Sequence, residues 1–240
     1  MREPMVLLPG MMCDARVFGP QLAALSPDMA VTIAPITQGE RIEEIASGLL
    51  DVLPAKFALA GLSLGGIVAM EILRRAPERV TRIALMGTNA FAETPQSSAN
   101  LEPLIIKARA GVLQDVVEGM IRPEHLAPGA VRGEVMMLLA DMADHLGDAV
   151  IVRQLRAMQR RRDYQSTLRR CKIPALVLCG EHDGLTPVKR HSFLAELIPY
   201  GELRVIPGAG HFPTLEQPDL TTAALREWMQ QPYVLSTQAG

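Results

Sequence analysis

Short runs of apolar residues alternate with helical patterns in the first and last parts of the chain, and this alternation restricts the fold more than any other feature. The strand-like runs are apolar throughout, not apolar at every second residue. Strands of this kind belong to parallel sheets that helices cover on both faces. The sequence therefore predicts an α/β protein with a doubly wound, mostly parallel sheet of six strands, at residues 5–8, 31–34, 57–62, 82–86, 175–179 and 203–206.

The helices that connect these strands are predicted from apolar residues with a helical period. The interval from residue 88 to residue 170 breaks the rhythm, because it has helical patterns only, interrupted by Pro123, Pro128 and Gly147. A structureless connection of this length is improbable inside a compact domain. The predicted helices of the sheet region lie at residues 18–25, 40–53, 67–75, 188–197 and 221–230. Those of the interval lie at residues 101–120, 131–146 and 148–160.

We therefore expect a helical lid inserted after the fourth strand. Residues 1–88 and 171–240 would form the core, and residues 89–170 would form the cap. The end of the chain, at residues 232–240, is expected to be frayed.

A serine with a glycine two residues away on either side stands where the third strand meets the following helix. The segment reads Gly61-Leu62-Ser63-Leu64-Gly65-Gly66. This is the pattern of a nucleophile elbow, a sharp turn that raises the serine hydroxyl above the edge of the sheet. The first N–H groups of the helix then point at the same space and can stabilise a negative oxygen. The sequence thus predicts a nucleophilic Ser63.

Composition excludes several other classes of protein. A net charge of −2 gives no general attraction to nucleic acid or to an anionic membrane, and no apolar run is long enough to span a bilayer. The three cysteines have no CxxC spacing, and the first residues lack a secretory signal, so we expect a cytoplasmic protein. Metal-ligand, P-loop and dinucleotide-binding patterns are missing, and the sequence predicts no metal and no cofactor.

A serine nucleophile needs a base, and the base needs a carboxylate that orients it. Catalytic groups gather at the carboxyl ends of the strands in such sheets. His211 follows the sixth strand in a glycine-rich loop, while Asp183 and Glu181 follow the fifth, and the deeper Asp183 is favoured. The other histidines are expected to have surface or structural roles: His125, His145, His182 and His191.

In these motifs and their order, the chain resembles the α/β-hydrolase family over nearly its whole length. The matching segments are Leu7-Leu8-Pro9-Gly10-Met11-Met12, the elbow, Ala76-Pro77-Glu78-Arg79-Val80, Gly180-Glu181-His182-Asp183, Gly210-His211-Phe212-Pro213 and Glu216-Gln217-Pro218.

The resemblance implies a role for each matched residue. Ser63 would be the nucleophile, His211 the general base and then acid, and Asp183 its partner. The backbone N–H groups of Met11 and Leu64 would form the oxyanion hole. The family often has His-Gly where this chain has Pro9-Gly10, but the donor belongs to the main chain.

Substrate selection is expected to come from the inserted helices. Eight basic residues lie between residues 153 and 172, and they form either a solvated cationic face or an anion site to which an arginine contributes. Cys13 either faces the pocket or is a small buried side chain. The residues expected to contact the substrate are Met12, Met137, Arg161, Arg162 and Phe212.

The predicted activity is hydrolysis of a small ester, lactone or thioester through an acyl-enzyme. The motifs are similar to those of enol-lactone hydrolases and small carboxylesterases. Carbon–carbon bond hydrolases and cofactor-free haloperoxidases keep the same triad, and a ligand-binding receptor with negligible turnover is an alternative of another class. The expected partner is a small molecule, with no nucleic acid and no membrane; the sequence predicts no oligomeric state.

Overall fold

The computed structural model describes residues 3–232 of the 240-residue chain. Its centre is a six-stranded sheet with the order β2-β1-β3-β4-β5-β6, in which every neighbouring pair is parallel. This confirms the predicted α/β fold and its six strands. Most of residues 232–240, where a frayed end is expected, lie outside the described residues. The strands are β1 (Met5–Leu8), β2 (Val31–Ile33), β3 (Phe57–Leu62), β4 (Val80–Met86), β5 (Ala175–Gly180) and β6 (Gly201–Ile206).

The inner strands are apolar throughout because helices cover both of their faces. Every residue of β1, β3 and β5 is buried. In the register of the sheet, Leu8 pairs with Gly61, and Gly61 pairs with Leu85. Neighbouring strands thus end at nearly the same level, and the loops that follow them meet along one edge of the sheet.

Helices connect the strands as the alternation predicts. α3 begins directly after Ser63, so the strand, the serine and the helix are continuous. The helices outside the long interval are α1 (Gly19–Leu25), α2 (Ile42–Val52), α3 (Leu64–Arg75), α9 (Val188–Leu197), α10 (Pro213–Glu216) and α11 (Pro218–Gln230).

Five helices lie between β4 and β5. The predicted helix at residues 101–120 is instead two helices, because Gly111 takes a positive φ of 76° and turns the chain. The division of the molecule into a core and a cap stays a prediction. The five helices are α4 (Pro95–Arg109), α5 (Leu113–Met120), α6 (Val131–Leu146), α7 (Asp148–Gln159) and the unpredicted α8 (Gln165–Arg169).

The helices of the interval add buried residues to the same apolar cluster as the sheet, and α7 also contacts the sheet region through polar groups. Leu139, Met142 and Leu155 are buried. Gln154 Nε2 donates to the carbonyl oxygen of Ile36 at 3.2 Å. Across the described part of the chain, no helix combines the length and apolar character needed to cross a membrane.

Candidate active site

Ser63 lies at a strained turn where the backbones of β1, β3 and α3 pack very closely. Its φ of 52° and ψ of −114° lie in a region that L-residues rarely occupy. A Cβ on Gly61 would lie 2.3 Å from the carbonyl oxygen of Gly65, and a Cβ on Gly65 would lie 2.2 Å from that of Leu8. The two glycines are therefore required for β3, α3 and β1 to meet so closely, and this packing holds Ser63 at the sheet edge.

His211 and Asp183 form a buried pair on the loops that follow β6 and β5. The Nδ1 atom of His211 lies 3.1 Å and 3.0 Å from the two carboxylate oxygens of Asp183. The His211 side chain is 1% exposed and that of Asp183 is fully buried. This geometry leaves Nε2 as the ring nitrogen available for another partner.

Three further hydrogen bonds hold the Asp183 carboxylate in place. Oδ1 accepts from the backbone N–H groups of Leu185 and Thr186, and Oδ2 accepts from the Thr186 hydroxyl at 2.7 Å. Burial alone would raise the pKa of Asp183, but His211 and the bonds from Thr186 outweigh it and the pKa lies below its ordinary value. The carboxylate is therefore ionised and fixed in orientation.

The Nε2 atom of His211 is buried and has no hydrogen-bond partner within residues 3–232. Ser63 and His211 line the same cavity. A buried polar atom without a partner is uncommon and calls for an explanation, such as a catalytic role. Nε2 therefore makes no hydrogen bond to Ser63 in this structure, although both residues line the cavity.

Glu181 and the other histidines make no side-chain hydrogen bond to the His211 ring among the described residues. Glu181 is exposed, and its carboxylate accepts from the Gly208 N–H and lies 3.6 Å from His182. Of the two candidate acids, the structure therefore brings only Asp183 to His211. His145 is exposed, while the carbonyl oxygen of His125 accepts from the His211 N–H at 2.8 Å.

His191 is fully buried behind the elbow, where it has a structural role. Its Nε2 atom accepts from the Thr88 N–H at 3.1 Å, and the Thr88 hydroxyl donates to the carbonyl oxygen of Ser63 at 2.9 Å. Burial lowers the pKa of His191, so the ring is neutral and keeps the lone pair that Thr88 requires. A chain of two hydrogen bonds thus supports the strained residue from below.

Glu216 anchors the loop that carries His211. Its carboxylate, buried on α10, accepts from the N–H groups of Gly210, Phe212 and Ala127, at distances of 2.9, 2.9 and 2.7 Å. Gly210 and Phe212 flank His211, and Ala127 belongs to the turn before α6. One carboxylate therefore joins the histidine loop to the helical interval.

The two N–H groups expected to form an oxyanion hole are both available. Among the described residues, the backbone N–H groups of Met11 and Leu64 donate to no acceptor. The next residue, Met12, has a φ of 59°, and its N–H donates to Gln154 Oε1 at 2.9 Å. Gln154 on α7 thus fixes the loop after β1 beside Ser63.

A cavity of about 370 Å³ opens over Ser63 and His211. Residues 89–170 contribute two kinds of side chain to its lining, the apolar Leu101, Met120, Ile121 and Met158 and the polar Asn89, Glu93, Ser97 and Arg161. Met12 and Phe212, two of the residues expected to contact substrate, line this cavity, as does Arg161.

Two predicted substrate contacts need correction. Met137 is 68% exposed because α6 turns Val135 and Leu139 inward and leaves Met137 on its outer face. Arg162 is also exposed and does not line the cavity, whereas its neighbour Arg161 does. Cys13 is buried outside the cavity lining, and its thiol donates to the Met11 carbonyl oxygen.

Several of the basic residues between positions 153 and 172 already have partners within the protein, so they form neither a uniformly solvated face nor a set of unpaired cations. Arg156 pairs with Glu102 and Arg161 with Glu93, both at 2.7 Å, while Arg153 donates to the carbonyl oxygen of Thr37. Within the described part of the chain, no group of three or more His, Cys, Asp or Glu side chains is arranged to hold a metal ion.

Sequence reasoning missed the residues that hold the site in place, namely Thr88, Gln154 and Thr186. Gln154 carried the clearest signal in the sequence, because it is a polar residue between apolar positions of a predicted helix. In the structure it is only 1% exposed. Thr88 and Thr186 resemble any loop threonine in sequence, and their partners lie in distant segments.

The alpha/beta hydrolase family matches residues 5–224 of the chain. The match spans well over half of the sequence, and the chain belongs to this family. This confirms the resemblance seen in the motifs and makes the protein an enzyme of the hydrolase class.

Its relatives include several pimeloyl-[acyl-carrier protein] methyl ester esterases. The one from Vibrio parahaemolyticus is 24% identical over 242 residues, and the alignment covers 94% of each chain. The one from Pectobacterium carotovorum is 26% identical over 231 residues, with 91% of both chains covered. The named relatives are thus esterases.

Solved structures agree with this family. An esterase from Thermogutta terrifontis, determined with malate bound, has a TM-score of 0.86 and 26% identity, covering 95% of this chain and 89% of that one. The enol-lactonase from Burkholderia xenovorans LB400 has a TM-score of 0.83 at 24% identity, covering 96% and 92%. The second likeness shows the fold alone.

Proposed function

We propose that the protein is a serine esterase that cleaves small carboxylic esters through an acyl-enzyme. Ser63 is the nucleophile, His211 the general base and acid, and Asp183 the group that orients the imidazole. The observation that carries this proposal is the buried, unpartnered Nε2 of His211, which lines one cavity with Ser63 while its Nδ1 is held by Asp183.

The first half of the reaction transfers the acyl group to the enzyme. His211 Nε2 takes the proton from the Ser63 hydroxyl as the oxygen attacks the ester carbonyl. The negative oxygen of the tetrahedral intermediate accepts from the N–H groups of Met11 and Leu64. His211 then gives the proton to the departing alkoxide, which leaves as an alcohol.

The second half removes the acyl group. A water molecule loses a proton to His211 Nε2 and attacks the acyl-enzyme, and Ser63 recovers its proton as the acid departs. Asp183 stays ionised throughout and stabilises the charged imidazole. The pair of fixed hydrogen bonds to its Oδ1 keeps the ring in the tautomer that the reaction needs.

The cavity supports a substrate with a small, largely apolar acyl group. Its volume of about 370 Å³ lies within the range of small-molecule sites, and Leu101, Met120, Ile121 and Met158 form an apolar part of the wall on the helical side. Lactones and thioesters present the same carbonyl chemistry to the same groups. The names of the relatives specify methyl esters, so simple methyl esters belong in the substrate panel.

Steady-state hydrolysis of p-nitrophenyl acetate and butyrate tests the proposal. Ser63→Ala is expected to lower kcat by a factor on the order of 10⁴ to 10⁶, because the nucleophile is lost. Ser192→Ala is the matched control, since the Ser192 hydroxyl bonds only within α9. Near-full activity of Ser63→Ala would overturn the assignment.

The same panel separates an enzyme from a receptor. A receptor would bind these esters, as seen by protection from thermal unfolding, with wild-type turnover no faster than that of Ser63→Ala. A wild-type rate far above that of the variant supports the esterase.

A further inference from the structure

An ion pair stands in the wall of the cavity, away from the triad. Arg161 Nη2 lies 2.7 Å from Glu93 Oε1, and the side chains are 9% and 13% exposed. Both residues line the cavity that contains Ser63, and both also line an adjoining groove of about 640 Å³. The pair therefore stands where the cavity continues into the groove.

The charges in this part of the cavity determine which substrate groups are favourable there. Arg161 and Glu93 are the only Arg, Lys, Asp or Glu residues among the described lining of the cavity, and their charges cancel. The groove adds Arg190 and Asp163, which again balance. A carboxylate entering this region would meet Glu93 at close range without an excess of positive charge to compensate it.

The pair still offers hydrogen-bonding capacity. Among residues 3–232, Arg161 has one partner, Glu93, reached through Nη2, and the guanidinium carries five N–H donors. Burial and the nearby positive charge of Arg190 lower the pKa of Arg161 despite the opposite effect of Glu93, and the buried Nε of Arg161 has no hydrogen-bond partner among the described residues. Donors that are left over in a cavity wall favour an acceptor from the substrate.

Building on the proposed esterase function, we infer that the Arg161–Glu93 pair is a polar subsite for the acyl chain, one that accepts an uncharged oxygen, such as a keto or amide carbonyl, and rejects a carboxylate. The acyl chain is the part concerned because it becomes bonded to Ser63 in the first half-reaction and is released only in the second, in the cavity that the pair lines. Glu93 then sets the charge preference of the enzyme.

The test uses ethyl esters of straight-chain acids of four to eight carbons, in three series. One is unsubstituted, one carries a keto group on the penultimate carbon, and one ends in a carboxylate. Released acid is followed by titration at constant pH. At the favoured length, the wild-type enzyme should show a kcat/KM about three- to tenfold higher for the keto ester than for the unsubstituted one, and a lower value for the carboxylate ester.

Glu93→Gln is the decisive variant because it leaves Arg161 unbalanced. The ratio of kcat/KM for the carboxylate ester to that for the unsubstituted ester should rise about tenfold or more. The double variant Glu93→Gln with Arg161→Met carries no charge at this position of the cavity wall and should lose the keto preference. Glu102→Gln is the matched control, since it removes an ion pair with Arg156 that does not line the cavity.

The outcomes are distinct from those that test the esterase itself. If Glu93→Gln slows all three series equally, the pair is only structural and the subsite is wrong. A wild-type preference for the carboxylate series would also overturn it, in favour of an anion site. If wild-type turnover equals that of Ser63→Ala on every ester, the proposed function fails instead.

Discussion

The two walls of the cavity differ in how their residues are held. On the sheet side, hydrogen bonds hold Asp183 and the loop of His211: Asp183 has three bonds besides the two contacts with His211, and Glu216 receives three N–H groups. On the helical side, Leu101, Met120, Ile121 and Met158 form an apolar part of the wall, and Arg161–Glu93 is the one ion pair among its described lining residues.

This difference predicts that the two walls have different tasks, the sheet side in the reaction steps and the helical side in the choice of substrate. Hydrogen bonds are directional and hold atoms within a few tenths of an ångström, which proton transfer and attack require. Thioether and aliphatic packing is non-directional and tolerates changes of shape. Substitutions on the sheet side should therefore change kcat, and those on the helical side should change which ester is preferred.

The largest effect is expected at the base. His211→Ala should lower kcat for p-nitrophenyl butyrate about as much as Ser63→Ala does, and the double variant should be no slower than either, because the two residues act as one unit. The exposed His145→Ala serves as the control. Additive losses in the double variant would show that the two residues act independently.

Asp183→Asn comes next. The amide can no longer hold the imidazole in the required tautomer, and kcat should fall by a factor on the order of 10³ to 10⁴ while KM changes little. Glu181→Gln, at the exposed alternative acid, is the matched control and should keep its activity. If the two variants exchange these behaviours, the acid has been assigned to the wrong carboxylate.

A smaller effect concerns the pH dependence of folding. Burial lowers the pKa of His191, and Asp183 and His211 are the titratable groups that act on it. The unfolded chain takes up this proton near pH 6.5, its ordinary pKa, while the folded chain does so only at lower pH. The contribution to the free energy of unfolding is therefore complete above pH 6.5 and is lost as the pH falls below it.

Urea unfolding at pH 7.5 and pH 5.5 measures this term. His191→Gln should show a smaller drop in stability between the two pH values than the wild type, by up to about 1 kcal/mol. His145→Gln is the control on the protein surface. An unchanged drop in His191→Gln would mean that this histidine does not contribute to the acid sensitivity.

The smallest effect is expected on the helical side. Met158→Ala removes part of the cavity wall and should shift the preference toward longer acyl chains by about threefold, with kcat for butyrate nearly unchanged. Met137→Ala, on the exposed face of α6, should leave the preference as it is. A large loss of kcat in Met158→Ala would contradict the separation between the two walls.

The same separation explains what the sequence could predict. The strands, the elbow and the loops with Asp183 and His211 were accessible because each depends on a few adjacent residues: apolar runs, glycines at a tight turn and polar groups at strand ends. The assignment of catalytic roles to these residues stays a prediction that the kinetics must decide.

The helical interval was less accessible because its outcome depends on packing between distant segments. Apolar periodicity predicts a helix but not which of its faces meets the cavity, and for this reason the sequence could not show that Arg161 lines the cavity while Met137 and Arg162 do not. The break at Gly111 comes from the positive φ of that glycine, whereas the support from Thr88 and Gln154 depends on partners in distant segments that no local pattern specifies.

The carboxylate of Glu216 has a mechanical consequence. Since Ala127 and the two neighbours of His211 share it, an outward swing of the turn at residues 123–127 would drag the imidazole out of line. Movement of residues 123–127 would therefore displace His211 and lower the proposed activity, whereas Glu216 makes no hydrogen bond to the part of the cavity rim near Arg161. Ester entry and product exit without disturbing the base are therefore favoured at the Arg161 rim.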